Sequence, residues 1–504
     1  MSEGEATDRT PGKESAIPAV AESVAEPKSP LAELWLVAWP TILTMTSYTI
    51  MQFVDALMVS KVGPTEFTAQ GNGGIFAFLP ISFAMGLLSV VNTYVSQNLG
   101  AGTPERGPKY AWGALWLAVG VWLILIPYGI GLPLIFSRLG HEANIVPLET
   151  LYARVLVYGS ILTMASRSLS HFFYGLHRPR IVFVATVIGN LTNVFANWVL
   201  IFGHLGVPEL GLAGAAYGTV IGTAVELAIP LAIFLGPKMN AEFQTRRQWR
   251  LKAQVIRDLM AIGWPKSMQF GNEMICWSIF MAKIVGLFGT AHMTAGWIAL
   301  RYMHLSFMPA VGISVAVTAV VGKYIGAGKP DIANQRAWLG MRLAVGYMGT
   351  CALLFIVFRH QLVDVFLSIQ AATNATGADE PAPDPAAAAE QLALIREYGA
   401  KLLICAAVFQ IFDAVAITLS GALSGAGDTI WPGVATIIAS WVFIVGFGWS
   451  IAILFPELHS LGPWIGAAAF IISLGIAFFI RWQSGHWRSI NLLNRTDDQA
   501  SQTD

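Results

Sequence analysis

A few ionisable side chains interrupt stretches that are otherwise apolar enough to lie in a bilayer. The acids are Asp55, Glu226, Glu273 and Asp413; the bases are Arg167, Lys283 and Arg301, with His171 and His304 beside them. A charge inside a membrane span costs about 2.5 to 3.5 kcal/mol on insertion scales, so such a residue is expected to face a cavity or a partner. Glu273 falls roughly 25 Å from the inner end of its segment at 1.5 Å per residue, too deep to reach the interface. Asp413, in QIFDAVAITLSGALSGAGDT, lies deep in another span of the same half. Two carboxyls held out of water can take up and release a proton, or hold Na⁺, at physiological pH. The competing reading pairs each acid structurally with Lys283 or Arg301.

Asp55 stands about twenty-one residues into the first span, close enough to the outer surface for plain solvation to be an alternative. Asn190, Asn193 and Asn197 share one face of the fifth span, being spaced i, i+3 and i+7. They serve either as interhelical glue or as a cavity wall that hydrogen-bonds Asp55. Gln52, near Asp55, and Phe409 and Gln410, near Asp413, join the supporting set. Glu226 reads as interfacial, at the inner end of the sixth span. Arg167 and His171, four apart, read as anchors of the inner end of the fourth.

These residues need helices to hold them. Of 504 residues, 55% are hydrophobic and 12% charged, about half the charged fraction of a soluble domain. Apolar segments near the 20-residue minimum or longer run at about 34–59, 72–98, 110–137, 151–176, 181–203 and 212–236. A second set follows at about 256–288, 294–322, 336–358, 395–422, 432–455 and 463–482. The fold class is therefore an all-α membrane protein of about twelve transmembrane helices in two six-helix pseudo-symmetric lobes, residues 31–236 and 256–485, joined by a linker at 237–255. Residues 1–30 and 486–504 read as cytoplasmic tails, the first disordered. Basic residues fall in alternate loops, including Arg106, Lys109, Arg178, Arg180, Lys238, Arg246, Lys323 and Lys329. By the positive-inside rule those loops and both termini are cytoplasmic. The acidic loop at 371–391 then faces outward, and the location is a bacterial-type inner membrane.

Self-similarity supports the two lobes. NLGAGTPERG at Asn98 aligns with YIGAGKPDIA at Tyr324 at a shift of 226 residues, and Trp39-Pro40 with Trp264-Pro265 at 225. VATVIGN at Val184 aligns with VATIIAS at Val434 at 250, the excess matching the outer loop. Such parallel repeats commonly frame a central site. Other classes find little support. A net charge of +0 with no long basic block argues against nucleic acid. Cys276, Cys351 and Cys405 match no zinc or disulfide spacing. The two GAG triplets read as helix-ending glycines rather than phosphate cradles. No HExxH or nucleophile elbow points to an enzyme, and no cofactor is expected beyond H⁺ or Na⁺ as coupling ion.

With these residues in view, the chain resembles the multidrug and toxic compound extrusion (MATE) family over about residues 31–485. The resemblance rests on VDALMVSKVG at Val54, the QNLGAG and KYIGAG helix ends, the Asn193–Gly203 segment ending LIFG, the Glu273 segment after GWP, and FDAVAITLSGALSGAGDT. It implies a V-shaped pair of lobes that alternates access and exports small organic, often cationic, compounds against H⁺ or Na⁺, as a monomer in the lipid bilayer. By matching, Glu273 and Asp413 resemble the acid pair proposed to hold the cation, and Asp55 with Asn193 resembles the N-terminal pair involved in coupling. The sequence departs at Ser60, where Gly is usual, at Ser424, where Arg is common, and at Arg301, usually neutral, which leaves the substrate's charge open. A flippase for lipid-linked saccharides is the alternative within the same superfamily.

Overall fold

The computed structural model describes residues 29–374, 385–490 and 492–493, and all of the regular structure among them is helical. The expected N-terminal tail, most of the C-terminal tail and the acidic residues Asp379, Glu380 and Asp384 lie outside the described residues. Twelve long helices follow the twelve apolar segments. The first six are α1 Pro30–Ser60, α2 Pro64–Gly100 with a break at Val90, α3 Pro104–Arg138, α4 Val146–Gly175, α5 Pro179–Phe202 and α6 Leu212–Phe234. The others are α7 Ala253–Phe288, α8 Thr290–Gly326, α9 Pro330–Val357, α10 Pro385–Ala426, α11 Ile430–Leu454 and α12 Leu461–Gln483.

Eleven of these are long and apolar enough to cross a bilayer. The exception is α4, which has 30 residues but carries Arg154, Arg167 and His171. Its polarity faces the protein rather than lipid, so composition alone undersells it. Proline at the first turn starts α1 to α5 and α9, where its missing N–H has no intrahelical partner to lose. The helix ends also depart from regularity in α7. A π-helical stretch at Phe280–Ile284 runs into a 3₁₀ turn at Val285–Phe288. Each rotates the side chains that follow away from a simple helical wheel. The expected C-terminal tail begins with packed structure instead, since Trp487 is buried and stacked on Trp482 at 4.2 Å.

The repeat is visible in the packing. Helix α1 packs against α5 of its own half and against α8 of the other; its repeat mate α7 packs against α11 of its own half and α2 of the other. At the repeat-related glycines the helices touch. A Cβ on Gly100 would lie 1.7 Å from the Lys323 carbonyl oxygen, and one on Gly326 would lie 1.9 Å from that of Gln97. The GAG triplets thus do two jobs: Gly102 and Gly328 adopt the left-handed conformation that ends each helix, and Gly100 and Gly326 let the two halves meet.

Side-chain hydrogen bonds between the halves gather at this end. Thr41 donates to the Gly312 carbonyl at 2.8 Å, Thr93 to Ser424 at 2.8 Å and Gln97 to Gly425 at 2.9 Å. Glu33, on the first turn of α1, receives Arg336 at 2.8 Å, Lys323 at 3.3 Å and the Tyr324 hydroxyl at 2.9 Å. His177, in the turn between α4 and α5, bonds the Ala319 carbonyl at 3.1 Å. Burial, with Lys323 nearby, pushes that imidazole down to about 4, so it is neutral at pH 7 and donates through Nε2. Among the described residues no such bond joins the halves beyond Asp55, which lies fourteen residues, about 21 Å, past Thr41 along α1. The halves are clamped at one end and unclasped at the other.

Candidate functional site

In the second half, α7 and α10 bring Glu273 and Asp413 together. Both are half-buried, and the Glu273 charge acts directly on Asp413. The Trp277 indole, one turn on from Glu273, donates to its carboxylate. The cation that faces Glu273 is neither Lys283 nor Arg301 but Lys266, two turns earlier on the same face of α7. Lys266 is 8% exposed, and its ammonium donates to Ser420 Oγ at 2.7 Å and Gln269 Oε1 at 3.2 Å. Lys283 and Arg301 are exposed and form no ion pair with these acids among the described residues, which removes the competing reading of a structural pairing. The cause is local. Lys283 stands ten residues past Glu273, about 80° round a regular helix from it, and lies in the π-helical stretch besides.

Phe409 and Gln410 act as supports. Phe409 is fully buried in the hydrophobic core of its lobe, and Gln410 donates to Ser306 on α8 at 2.6 Å. They fasten α10 so that Asp413 faces α7, instead of lining a cavity themselves.

In the first half, Asp55 is 8% exposed, so it is not solvated at the outer surface. Asn197 donates to its Oδ1 at 2.6 Å, and Asn193 donates to it as well. Asn190 turns to Ser47 at 2.7 Å and makes no bond to the acid. Of the two roles open to the three amides, two therefore serve Asp55 and one ties α5 to α1. The Oδ1 atoms of Asn193 and Asn197 are buried with no hydrogen-bond partner. A carboxylate flanked by two orphaned amide oxygens is a donor set suited to a hard monovalent cation or a bound proton. Gln52 is exposed and makes no hydrogen bond among the described residues.

Glu226 and Arg167 correct two further expectations. Glu226 is 7% exposed and lies inside the first lobe, accepting from the Tyr48 hydroxyl and from Thr186 at 3.0 Å. Arg167 is half-buried, its guanidinium 4.0 Å over the Tyr48 ring. On α1, Ser47, Tyr48 and Asp55 meet Asn190, Thr186 and the Asn193–Asn197 pair of α5 respectively. A polar column thus runs inside an apolar bundle. Sequence reading missed Lys266, Glu33 and Tyr48. Depth within the span was the available signal for Lys266. Glu33 and Tyr48 gave none, because their partners lie 303 and 178 residues away.

Comparison with known proteins agrees with this architecture. The MatE family profile matches residues 40–199 and 273–449. A probable multidrug resistance protein NorM from Mesorhizobium japonicum is 26% identical over 458 residues, covering 88% of this chain and 92% of the relative. The multidrug resistance protein NorM of Burkholderia vietnamiensis is 29% identical over 454 residues, 88% and 92% of the two chains. The multidrug resistance protein PmpM of Pseudomonas aeruginosa is 28% identical over 487 residues, 94% and 96%. Among solved structures, an outward-facing multidrug resistance MATE family transporter superposes with a TM-score of 0.80 at 20% identity, over 95% of this chain and all of that one. At that identity the likeness speaks for the fold.

Proposed function

The chain belongs to the MatE family, and from that premise we propose that it is a cation-coupled antiporter that exports small organic compounds from the cell. It is a multi-pass membrane transporter, not an enzyme. The relatives' descriptions as multidrug resistance proteins support a broad organic substrate range. The observation that carries the coupling is the Glu273–Asp413 pair, two half-buried carboxyls, with the Glu273 charge acting on Asp413 and the Lys266 charge acting on Glu273.

Two adjacent anions in such a place repel, so a proton or Na⁺ arriving from outside neutralises the pair and favours whichever state brings the acids closer. Differential affinity for the two states then shifts the balance between them, and substrate leaves as the cation enters. Asp55 with Asn193 and Asn197 offers a second cation station in the other lobe. The clamp at the Glu33 end and the unclasped Asp55 end correspond to an outward-open state if, as the basic loops suggest, the clamped end is cytoplasmic. On this reading both termini face the cytoplasm of a bacterial-type inner membrane and the unit is a monomer.

The test is dye efflux from proteoliposomes holding the purified protein, with a pH gradient and a Na⁺ gradient imposed separately. Efflux driven by one or both supports antiport. Dye movement that ignores both gradients overturns it.

A further inference from the structure

We infer that the groove between the first turn of α1 and the start of α9 is a binding site for an anionic phospholipid of the inner leaflet. The site lies apart from the acids that carry the proposed coupling, and its occupant is a lipid rather than a cargo. The groove has a volume of about 330 Å³ and is lined by Pro30 from the first half and by Gln335, Trp338, Leu339 and Arg342 from the second. Gln335, Leu339 and Arg342, spaced i, i+4 and i+7, share one face of α9. Pro30 stands on the same turn of α1 as Glu33, so the groove straddles the seam between the halves beside the Glu33–Arg336 pair.

Hydrogen-bond donors outnumber acceptors in this lining. Arg342 is exposed and makes no hydrogen bond or ion pair among the described residues, and neither Gln335 nor the Trp338 indole N–H makes one. Asn334, which also lines the groove, accepts from the Trp482 indole at 2.9 Å, and its amide N–H groups meet no partner among the described residues. Arg336 spends its Nε on Glu33 Oε2 at 2.8 Å, and the Glu33 oxygens also hold Lys323 at 3.3 Å and the Tyr324 hydroxyl at 2.9 Å. Asp331, at the start of α9, is paired with Arg488 at 2.9 Å, and among the described residues no acid lines the groove. The amide oxygens of Gln335 and Asn334 are the side-chain acceptors of that lining.

The basic loops put this end at the cytoplasmic face. Arg342 lies six residues, about 9 Å, deeper along α9 than Arg336, and its aliphatic stem lets the guanidinium reach back to the headgroup layer. Trp338, between them, is the kind of side chain that favours that layer. The anions concentrated there are lipid phosphates, and a guanidinium takes two phosphate oxygens at once. Basic pockets between spans on the cytoplasmic side suit such headgroups. A lipid seated here touches α1 and α9 together, so its binding favours the state in which these helices meet.

Full-length protein, purified in detergent, is titrated with short-chain phosphatidylglycerol or phosphatidylcholine, and bound lipid is counted by native mass spectrometry. The wild type is expected to hold phosphatidylglycerol about fivefold or more tightly than phosphatidylcholine, the size one basic residue supplies near a lipid surface. Arg342→Gln removes most of that preference and leaves phosphatidylcholine binding within about twofold, whereas Arg342→Lys retains part of it. Gln335→Leu, a neutral change on the same face, loses about threefold for phosphatidylglycerol and supplies the reading should Arg342→Gln fail a thermal-melt check. A wild type indifferent to the headgroup, or a preference unchanged in the variants, overturns the assignment. Equal weakening of both lipids in Arg342→Gln overturns it too, because that marks the residue as structural. A preference that appears only once residues 2–28 are deleted has the same force, since the chain before Ser29, whose acids include Glu22 and Glu26, then fills the groove in place of lipid. Displacement of the lipid by an equal concentration of glycerol phosphate would mean a site for soluble anions, and the assignment fails likewise.

Discussion

The Asn197 amide stands 2.6 Å from Asp55 Oδ1, fastening α5 to α1 within the first half, at the end where the two halves are unclasped. Asn190, two turns earlier on α5, has no such access and bonds Ser47 instead. Asn197→Ala removes a charge-assisted donor from a buried acid, a loss of about 1.5 to 3 kcal/mol, so ion-driven efflux falls about tenfold or more. Asn190→Ala gives up a neutral bond and loses less than about threefold. Proteoliposome efflux measures both; equal losses would count against a special tie between Asn197 and Asp55.

The clamp at the opposite end makes a separate prediction. Glu33 joins α1 of one half to Arg336 and Lys323 of the other, and all three are buried. Glu33→Gln strands two cations, at a cost of about 3 to 5 kcal/mol to the clamped state. Spin labels across the clamped end should report a population with the halves parted there, absent from the wild type. A distance distribution identical to wild type would mean that the clamp is dispensable.

Gly100 and Gly326 should behave alike, because the repeat places each against the carbonyl of the other's helix. Alanine at either position forces the crossing apart, with overpacking costing about 1 to 3 kcal/mol and efflux falling to match. Gly346, on α9, has nothing within 4 Å of a would-be Cβ. There alanine is expected to raise thermal stability, since helix propensity gains about 0.5 to 1 kcal/mol. Melting curves beside efflux rates check all three, and an inert Gly100→Ala would contradict the packing described.

What the sequence disclosed and what it withheld divide on physical lines. The spans were legible because crossing hydrocarbon demands length and apolarity, and the two lobes because the repeat survives as GAG, Trp-Pro and VAT motifs. Glu273 and Asp413 were legible because an acid far from any interface advertises itself. Their neighbours were read less well: Lys266 stands two turns before Glu273 on the regular part of α7, a spacing the sequence offered, whereas the π-helical stretch that holds Lys283 is not encoded in apolar patterning. Glu226 and Arg167 were placed at an interface by counting along single helices, whereas Tyr48 and Thr186 draw them into the bundle. Hydrogen bonds across hundreds of residues leave no local trace.

Lys266 faces Glu273 with the one positive charge among the described residues that acts on it, and so limits how strongly the acid pair attracts a cation. Lys266→Gln removes that charge and leaves the pair with both negative charges uncompensated. The concentration of coupling ion at half-maximal efflux should drop on the order of tenfold, as expected for one unit charge acting over several ångströms in a partly buried site. Lys266→Arg should stay close to wild type. If the glutamine variant needs as much ion as the wild type, Lys266 is only a fastening between α7 and α10.

The most direct measurement concerns the acid pair itself. Glu273→Gln and Asp413→Asn, each confirmed folded by thermal melt, are reconstituted and assayed for dye efflux under the gradient that drives the wild type. The account predicts that both lose gradient-driven efflux while still binding dye. Wild-type efflux in both variants would contradict it.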